Sequence, residues 1–327
     1  MEDRTALILE IFRERAHSRE AMLQVEAASL QYMLPRLAGL HDALGRQGGT
    51  TGSMSNRGAG EKKIELDRRK LEHRLTELRR ELKEVGGQRT TQRKKRNRSG
   101  IPRVALVGYT NAGKSTLLNA LVEYSGQKEE KKVDAKDMLF ATLDTTVRQI
   151  TPEGCHAILL SDTVGFISGL PHQLVEAFHS TLEEALYADL LIQVVDCSDD
   201  HHKEHIKVTN ETLRQLGAGD IPMIYVYNKA DKVKDAGEGL PELSGNRITM
   251  SASGRVGLRE LVEMIEGQLT AHYKECEMII PYQESALVPY FQQQGSVRAL
   301  NYEESGTRLH LVCPDRDYQK YEKYLVG

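Results

Sequence analysis

Long apolar runs are missing from this 327-residue sequence. The longest candidates, such as Ala188 to Val195, fall well short of the roughly 20 residues that a membrane-spanning helix needs. The N-terminus lacks the apolar core of a secretory signal. No membrane span and a cytoplasmic location are therefore expected. Cysteine is also scarce: Cys155, Cys197, Cys276 and Cys313 show neither CxxC nor Cys/His spacing. That excludes a disulfide framework and a zinc site of the usual pattern, and it predicts reduced, partly buried thiols. With 39% hydrophobic and 28% charged residues the chain reads as globular rather than disordered, long enough for two or three domains.

The net charge of -3 is spread unevenly. Residues Lys62 to Arg98 hold 15 Lys and Arg against 6 Asp and Glu, which leaves the rest of the chain acidic. A basic segment on an acidic protein is the electrostatic footprint expected of a nucleic-acid contact; a solvated helix face followed by a linker is the plainer explanation.

Three regions follow one another. Leu23, Leu30, Met33, Leu37, Leu40 and Leu44 keep a heptad-like register and predict an amphipathic helix that Pro35 and Gly39 interrupt internally, with a kink expected where the Pro ring displaces a backbone hydrogen bond. Gly45, Gly48, Gly49, Gly52, Gly58 and Gly60 then predict a loop over residues 45–60. A second helix is expected from near Glu61, with Leu71, Leu75, Leu78, Leu82 and Val85 on one face. Together they make residues 1–100 an antiparallel hairpin whose Gly-rich tip is a candidate binding element, with a basic stretch over 88–100 that reads as a linker or a frayed helix end.

From Ile101 short apolar runs alternate with helical patterns: Arg103 to Val107, Ala157 to Ser161, Leu190 to Val195, Met223 to Tyr227 and Arg247 to Thr249. This is a βαβ series around a largely parallel sheet, closed by a helix from Leu258 to Tyr273, and it defines a domain over 101–274. Three strands (Met278 to Ile280, Val297 to Tyr302, Leu309 to Val312) and a helix near Glu284 to Gln294 make 275–327 a small α+β domain.

The chemistry lies in the middle region. Gly108-Tyr109-Thr110-Asn111-Ala112-Gly113-Lys114-Ser115 follows one strand and opens a helix, the context of a phosphate-cradling P-loop. Lys114 is expected on the β- and γ-phosphates, and Ser115 on Mg²⁺. Asp162-Thr163-Val164-Gly165 follows the second strand, where the carboxylate can hold Mg²⁺ through water and the Gly165 N–H can sense a γ-phosphate. Asn228-Lys229-Ala230-Asp231 selects the base, since the Asp231 carboxylate can accept hydrogen bonds from both guanine N1 and N2. Ser251-Ala252-Ser253 is placed to reach guanine O6 through backbone N–H. Between these, Phe140-Ala141-Thr142-Leu143-Asp144-Thr145-Thr146 offers Thr142, Thr145 and Thr146 as further magnesium ligands, which spacing does not separate. No metal is expected beyond one that accompanies the nucleotide.

Gly108 to Thr116, Leu139 to Asp144 and Asp162 to Phe166 resemble the HflX family of translational GTPases. So do Asp3 to Phe12, Leu34 to Leu37, Arg57 to Glu61 and Glu65 to Arg69, so the similarity spans nearly the whole chain. The resemblance implies an α/β P-loop GTPase domain with an N-terminal antiparallel helical hairpin and a small C-terminal α+β domain. It makes Thr142 the preferred magnesium ligand and Lys114, Thr142, Gly165 and Asn111 the candidate catalytic set. It also implies a monomeric GTPase that binds the large ribosomal subunit and its rRNA through the basic helix and the Gly-rich loop, and that splits subunits under stress or antibiotic exposure.

Family members carry an α/β segment ahead of the stretch matched by Asp3 to Phe12, which is expected to be truncated or lost in this sequence. Arg57-Gly58-Ala59-Gly60-Glu61 has Ala where the family has Pro, and Leu143-Asp144-Thr145-Thr146 has Thr at another family Pro. Asn111 resembles the asparagine that binds K⁺ in cation-dependent GTPases. Phe166 stands where many signalling GTPases place a water-orienting glutamine, so hydrolysis is expected to be slow alone and stimulated by the ribosome, which could order the switch containing His172 and Gln173. The competing reading is a GTPase switch whose hairpin recruits a protein partner.

Overall fold

The computed structural model describes residues 3–46, 54–99, 101–126, 143, 145–153, 155–168, 184–233, 239–271, 273–294 and 296–326. The chain opens with helix α1 (Arg4–Arg15), which the apolar pattern did not announce. Asp3 caps it, its carboxylate accepting from Thr5 N at 2.7 Å and Ala6 N at 3.1 Å. Helices α2 (Arg19–Arg46) and α3 (Met54–Ser99) form the expected antiparallel hairpin. Leu23, Ala27 and Leu30 meet Leu75 and Leu78 along the seam, with Leu34, Leu71, Leu82 and Val85 packed around them. Arg74 fixes the register by gripping both oxygens of the Glu26 carboxylate, at 2.8 and 3.0 Å.

Three details of the hairpin differ from expectation. Met33 is exposed, and its neighbour Leu34 takes the place in the seam. Helix α2 runs to Arg46 with Pro35 inside it, the internal position that the sequence assigned to this residue. Helix α3 begins at Met54, so Gly58 and Gly60 are helical rather than part of a loop, and of the 45–60 stretch residues 47–53 lie outside the described residues. Of the two readings of the basic stretch, linker or helix end, residues 88–99 take the helical one, the same helix running through Gly86 and Gly87 to Ser99. Each glycine costs about 1 kcal/mol in a helix, but extending an existing helix needs no new nucleus, and the Gln, Arg and Lys around them are good helix formers.

The central layer is a seven-stranded sheet in the order β2-β3-β1-β4-β5-β7-β6. Its strands are β1 (Arg103–Val107), β2 (Thr146–Ile150), β3 (Ile158–Asp162), β4 (Leu190–Asp196), β5 (Met223–Asn228), β6 (Glu242–Ser244) and β7 (Arg247–Thr249). The inner strands pair in parallel, and β2 and β6 close the two edges antiparallel. Alternation explains why both faces are buried. Val104 and Leu106 of β1 join Leu117, Leu121, Ile192 and Val226 on one side, while Ala105 and Val107 join Leu191 and Leu213 on the other. Helices α4 (Lys114–Tyr124), α5 (His202–Leu216) and α6 (Leu258–Thr270) cover the sheet.

In the last part of the chain β8 (Tyr273–Ile280), helix α7 (Leu287–Gln294), β9 (Ser296–Glu303), β10 (Gly306–Pro314) and helix α8 (Asp315–Lys320) follow one another, the strands forming a separate antiparallel sheet in the order β8-β10-β9. Its core contains Met278, Ile280, Phe291, Leu309 and Leu311. All four cysteines are free thiols, and burial pushes that of Cys313 up to about 12.

One apolar cluster joins the helices to the sheet layer. Ile8, Leu9 and Phe12 of α1 and Ala21, Val25 and Ala28 of α2 enclose Leu143 and Val164, with Ile167 against them. If the hairpin seam is packed as described, Leu78→Ala is expected to cost about 2–5 kcal/mol in denaturant unfolding followed by helical circular dichroism. A loss under about 1 kcal/mol would show that the site collapses or was never tight.

Candidate nucleotide site

The C-terminal ends of β1, β3, β4 and β5 lie side by side, and their loops build one site. After β1 the chain turns sharply at Gly108, where an added Cβ would sit 2.3 Å from the Val194 carbonyl oxygen. Gly113, at φ 94°, enters α4. A Cβ there would sit 2.3 Å from Asn228 Nδ2, so the position takes glycine on both conformational and steric grounds. Lys114 is buried and donates to the carbonyls of Gly108 at 3.1 Å and Tyr109 at 3.0 Å. Burial pushes its ammonium down to about 8, with the Asp162 carboxylate opposing the shift. The Ser115 hydroxyl donates to Asp162 Oδ2 at 2.6 Å, which brings together two groups that the motifs had placed 47 residues apart.

The segment leaving β3 is strapped to the phosphate loop. Phe166 N donates to Gly108 O at 3.1 Å, and Thr110 N donates to Phe166 O at 2.8 Å. The closeness leaves no room at Gly165, where a Cβ would lie 2.7 Å from Thr110 Cα. Thr163 is fully buried and donates to Leu106 O at 2.7 Å, and Val164 points into the cluster under α1 and α2. The Phe166 ring is buried among Ala105, Val107, Ala185 and Leu191, so this position offers the site backbone atoms only.

Asn228 ties this half to the other. Its Nδ2 donates to Ala112 O at 3.0 Å and its Oδ1 accepts from Ala252 N at 3.0 Å. Asp231 is exposed; its Oδ1 accepts from Ser251 Oγ at 2.5 Å and Ser253 Oγ at 3.4 Å. The Ser251 N–H is committed to Val256 O and the Ala252 N–H to Asn228, so two of the three amides assigned to guanine O6 have protein acceptors. Lys229 adopts φ 63° and pairs with Asp196 at 2.8 Å. Burial pushes the Asp196 carboxyl up, but Lys229 and Ser198 outweigh it and hold it below the ordinary carboxylate value.

Asn111, also at positive φ (61°), is exposed at the crest of the phosphate loop, and Thr116 is half-buried on α4. Leu143 is buried beneath α1 and α2, so its side chain packs rather than facing a ligand. Phe140, Ala141, Thr142 and Asp144, with His172 and Gln173 of the later switch, lie outside the described residues. Asp196 was missed from sequence, although a carboxylate ending a buried strand was a usable signal. His205, whose ring stacks on Tyr109 with centroids 3.7 Å apart, gave none.

Two protein families match the chain: one described as GTP-binding GTPase Middle Region, over residues 15–96, and one described as 50S ribosome-binding GTPase, over residues 103–229. GTPase HflX of Akkermansia muciniphila is 47% identical, the alignment covering 99% of this chain and 75% of that protein. GTPase HflX of Escherichia coli is 39% identical, over 97% of this chain and 73% of that protein. The chain belongs to the HflX family of GTPases. A solved GTP-binding protein from Sulfolobus solfataricus in complex with GDP is 29% identical and covers 83% of this chain and 73% of its own, with a TM-score of 0.48.

As an HflX-family member the protein binds guanine nucleotides and hydrolyses GTP. If Asp231 reads the base, Asp231→Asn is expected to weaken GTP binding and to shift preference towards xanthosine nucleotides, because an amide cannot accept both guanine donors. Titration with labelled GTP and XTP checks this, and unchanged GTP affinity would remove Asp231 from base recognition.

Proposed function

We propose that this HflX-family GTPase binds the large ribosomal subunit through its helical hairpin and uses GTP to separate subunits under stress or antibiotic exposure. The observation that carries the binding half is the division of labour among the cations of α3. Arg68 pairs with Glu65 and Glu72, Arg69 with Glu65, and Arg74 with Glu26 and Glu77. The Arg74–Glu26 pair ties α3 to α2, and the other pairs neutralise these cations within α3 itself. Arg79, Arg80 and Lys83 are exposed on the side away from the Leu75–Leu78 seam and form no ion pair among the described residues. Three unneutralised cations on one flank suit a run of phosphates, which would give affinity without base specificity.

In this reading residues 1–100 approach the ribosome, 101–274 bind nucleotide, and 275–327 form an accessory domain of a monomeric, cytoplasmic protein. Ser115 and Asp162 are the residues that would hold Mg²⁺, together with Thr142; a hydroxyl and a carboxylate 2.6 Å apart are the hard oxygen donors that ion takes. When bound, Mg²⁺ would neutralise charge developing on the β- and γ-phosphate oxygens. Lys114 supplies the protein's own positive charge there. Asn111 would recruit K⁺ beside the same phosphates. With Phe166 buried, no side chain at that position orients water, so hydrolysis by the free protein is slow and ribosome binding accelerates it.

Co-sedimentation with large subunits, in a nonhydrolysable GTP analogue and in GDP, tests the reading. Reversing Arg79, Arg80 and Lys83 to Glu is expected to weaken binding and to flatten the salt dependence by about 0.7–0.9 log unit per lost phosphate contact, with GTP binding intact. Wild-type binding that is equal at all salt concentrations would favour a protein partner for the hairpin. For the cation, single-turnover hydrolysis is expected to be faster in K⁺ than in Na⁺, and the difference to vanish in Asn111→Ser. Stimulation persisting in that variant would exclude Asn111.

A further inference from the structure

The stretch after Gly165 is gripped at a residue that none of the motifs includes. Ser168 N donates to Tyr109 Oη at 3.1 Å, and the Ser168 hydroxyl lies 3.2 Å from the same oxygen. From the opposite side Arg4 donates to Ser168 O at 2.5 Å and reaches Ser168 Oγ at 3.4 Å. Both arms are anchored. The Tyr109 ring lies nearly parallel to His205 of α5, at 11°, which fixes the direction of its hydroxyl. Arg4 is the first residue of α1, whose start is held by the Asp3 cap and by the ion pair between Asp3 and Arg36 of α2, the Arg36 guanidinium lying 3.9 Å from the centre of the Tyr32 ring. The stretches around Asp3 and Arg36, which carried no chemistry when read as sequence, therefore meet, and their meeting places one guanidinium on the segment that follows Asp162 to Gly165.

We infer that Arg4 and Tyr109 are positioning residues for GTP hydrolysis, acting together through Ser168 to set where the backbone from Gly165 to Ser168 lies relative to the γ-phosphate. The reason is chemical. Phe166 turns its ring into the core, so backbone groups are what this stretch can offer to an attacking water. Phosphoryl transfer depends on positioning, and backbone donors are only as well placed as the chain that carries them. The strap at Phe166 fixes one end of the segment and the grip on Ser168 fixes the other. One of the two arms belongs to the helical region, so the N-terminal helices contribute directly to the geometry of the hydrolytic site.

The inference rests on the GTP hydrolysis of the family and not on ribosome binding, and it is tested on the free full-length chain. Single-turnover and steady-state hydrolysis are measured for Tyr109→Phe, Arg4→Ala, the double variant and Arg4→Lys, alongside GDP affinity and melting temperature. Each single removal is expected to lower kcat about tenfold while KM and GDP affinity stay within about twofold. The double variant is expected to be no slower than the slower single one, because both arms act through Ser168, and Arg4→Lys is expected to recover most of the rate. Unchanged kcat in the single variants, losses that multiply in the double, or losses that track GDP affinity or melting temperature would each overturn the inference. Ribosomes are absent throughout, so a failure here is distinct from a failure to co-sediment with large subunits.

Discussion

The side-chain amide of Asn228 satisfies two backbone groups that belong to different loops, the Ala112 carbonyl after β1 and the Ala252 amide after β7. Asn228 is almost fully buried, so each of these groups would lose a partner with no water to replace it, at about 1–3 kcal/mol apiece. Much of the pocket is arranged around that amide. Gly113 lacks a side chain where Asn228 passes, and Lys229 takes a left-handed conformation immediately after it and is held there by Asp196. The phosphate half and the base half of the site are thus set at a fixed separation before any ligand contact is made, which is the condition for binding a rigid nucleotide without spending its affinity on ordering loops.

A second constraint runs from the site to the helices. Leu143 and Val164 flank the positions where a γ-phosphate and its metal would be sensed, and both are buried by α1 and α2. Two apolar side chains drawn into a neighbouring helical layer cannot shift without exposing surface or moving that layer, since packed interfaces respond in discrete rearrangements rather than by smooth deformation. The hairpin is therefore mechanically continuous with the nucleotide site.

How much of this was legible in the sequence depended on distance along the chain. Lys114, Asp162, Asn228 and Asp231 were readable because each sits in a short motif at the end of a strand, and the strands announce themselves through alternating or continuous apolar residues. The hairpin seam was readable through the spacing of Leu71, Leu75, Leu78 and Leu82. Helix α1 was not, because its apolar residues run almost unbroken from Ala6 to Phe12 without a clear helical period, and only Ile8, Leu9 and Phe12 of them are buried. The extent of α3 was misread because local glycine content suggested a break, whereas helix continuation is decided by the turns already formed on either side. Contacts such as Arg4 with Ser168, 164 residues apart, leave no local trace at all.

Helix α3 has 46 residues, and at about 1.5 Å of rise per residue it is a rod of roughly 70 Å. Its partnership with α2 ends near the ion pair between Arg19 and Glu81 and the packing of Val85, and Gly86 and Gly87 come next. A methyl group at either glycine would meet nothing within 4 Å, so they are not there to avoid a clash. Two residues of low helical propensity, placed just past the turn where α3 meets the start of α2, weaken that turn of the rod. Measured from there the stiff arm is about 50 Å long, so a swing of about 5° carries its far end about 4 Å, on the scale of a nucleotide's width. Bending at that turn would make the hairpin a lever, in which small changes beside Leu143 and Val164 become ångström-scale travel at the far end of α3.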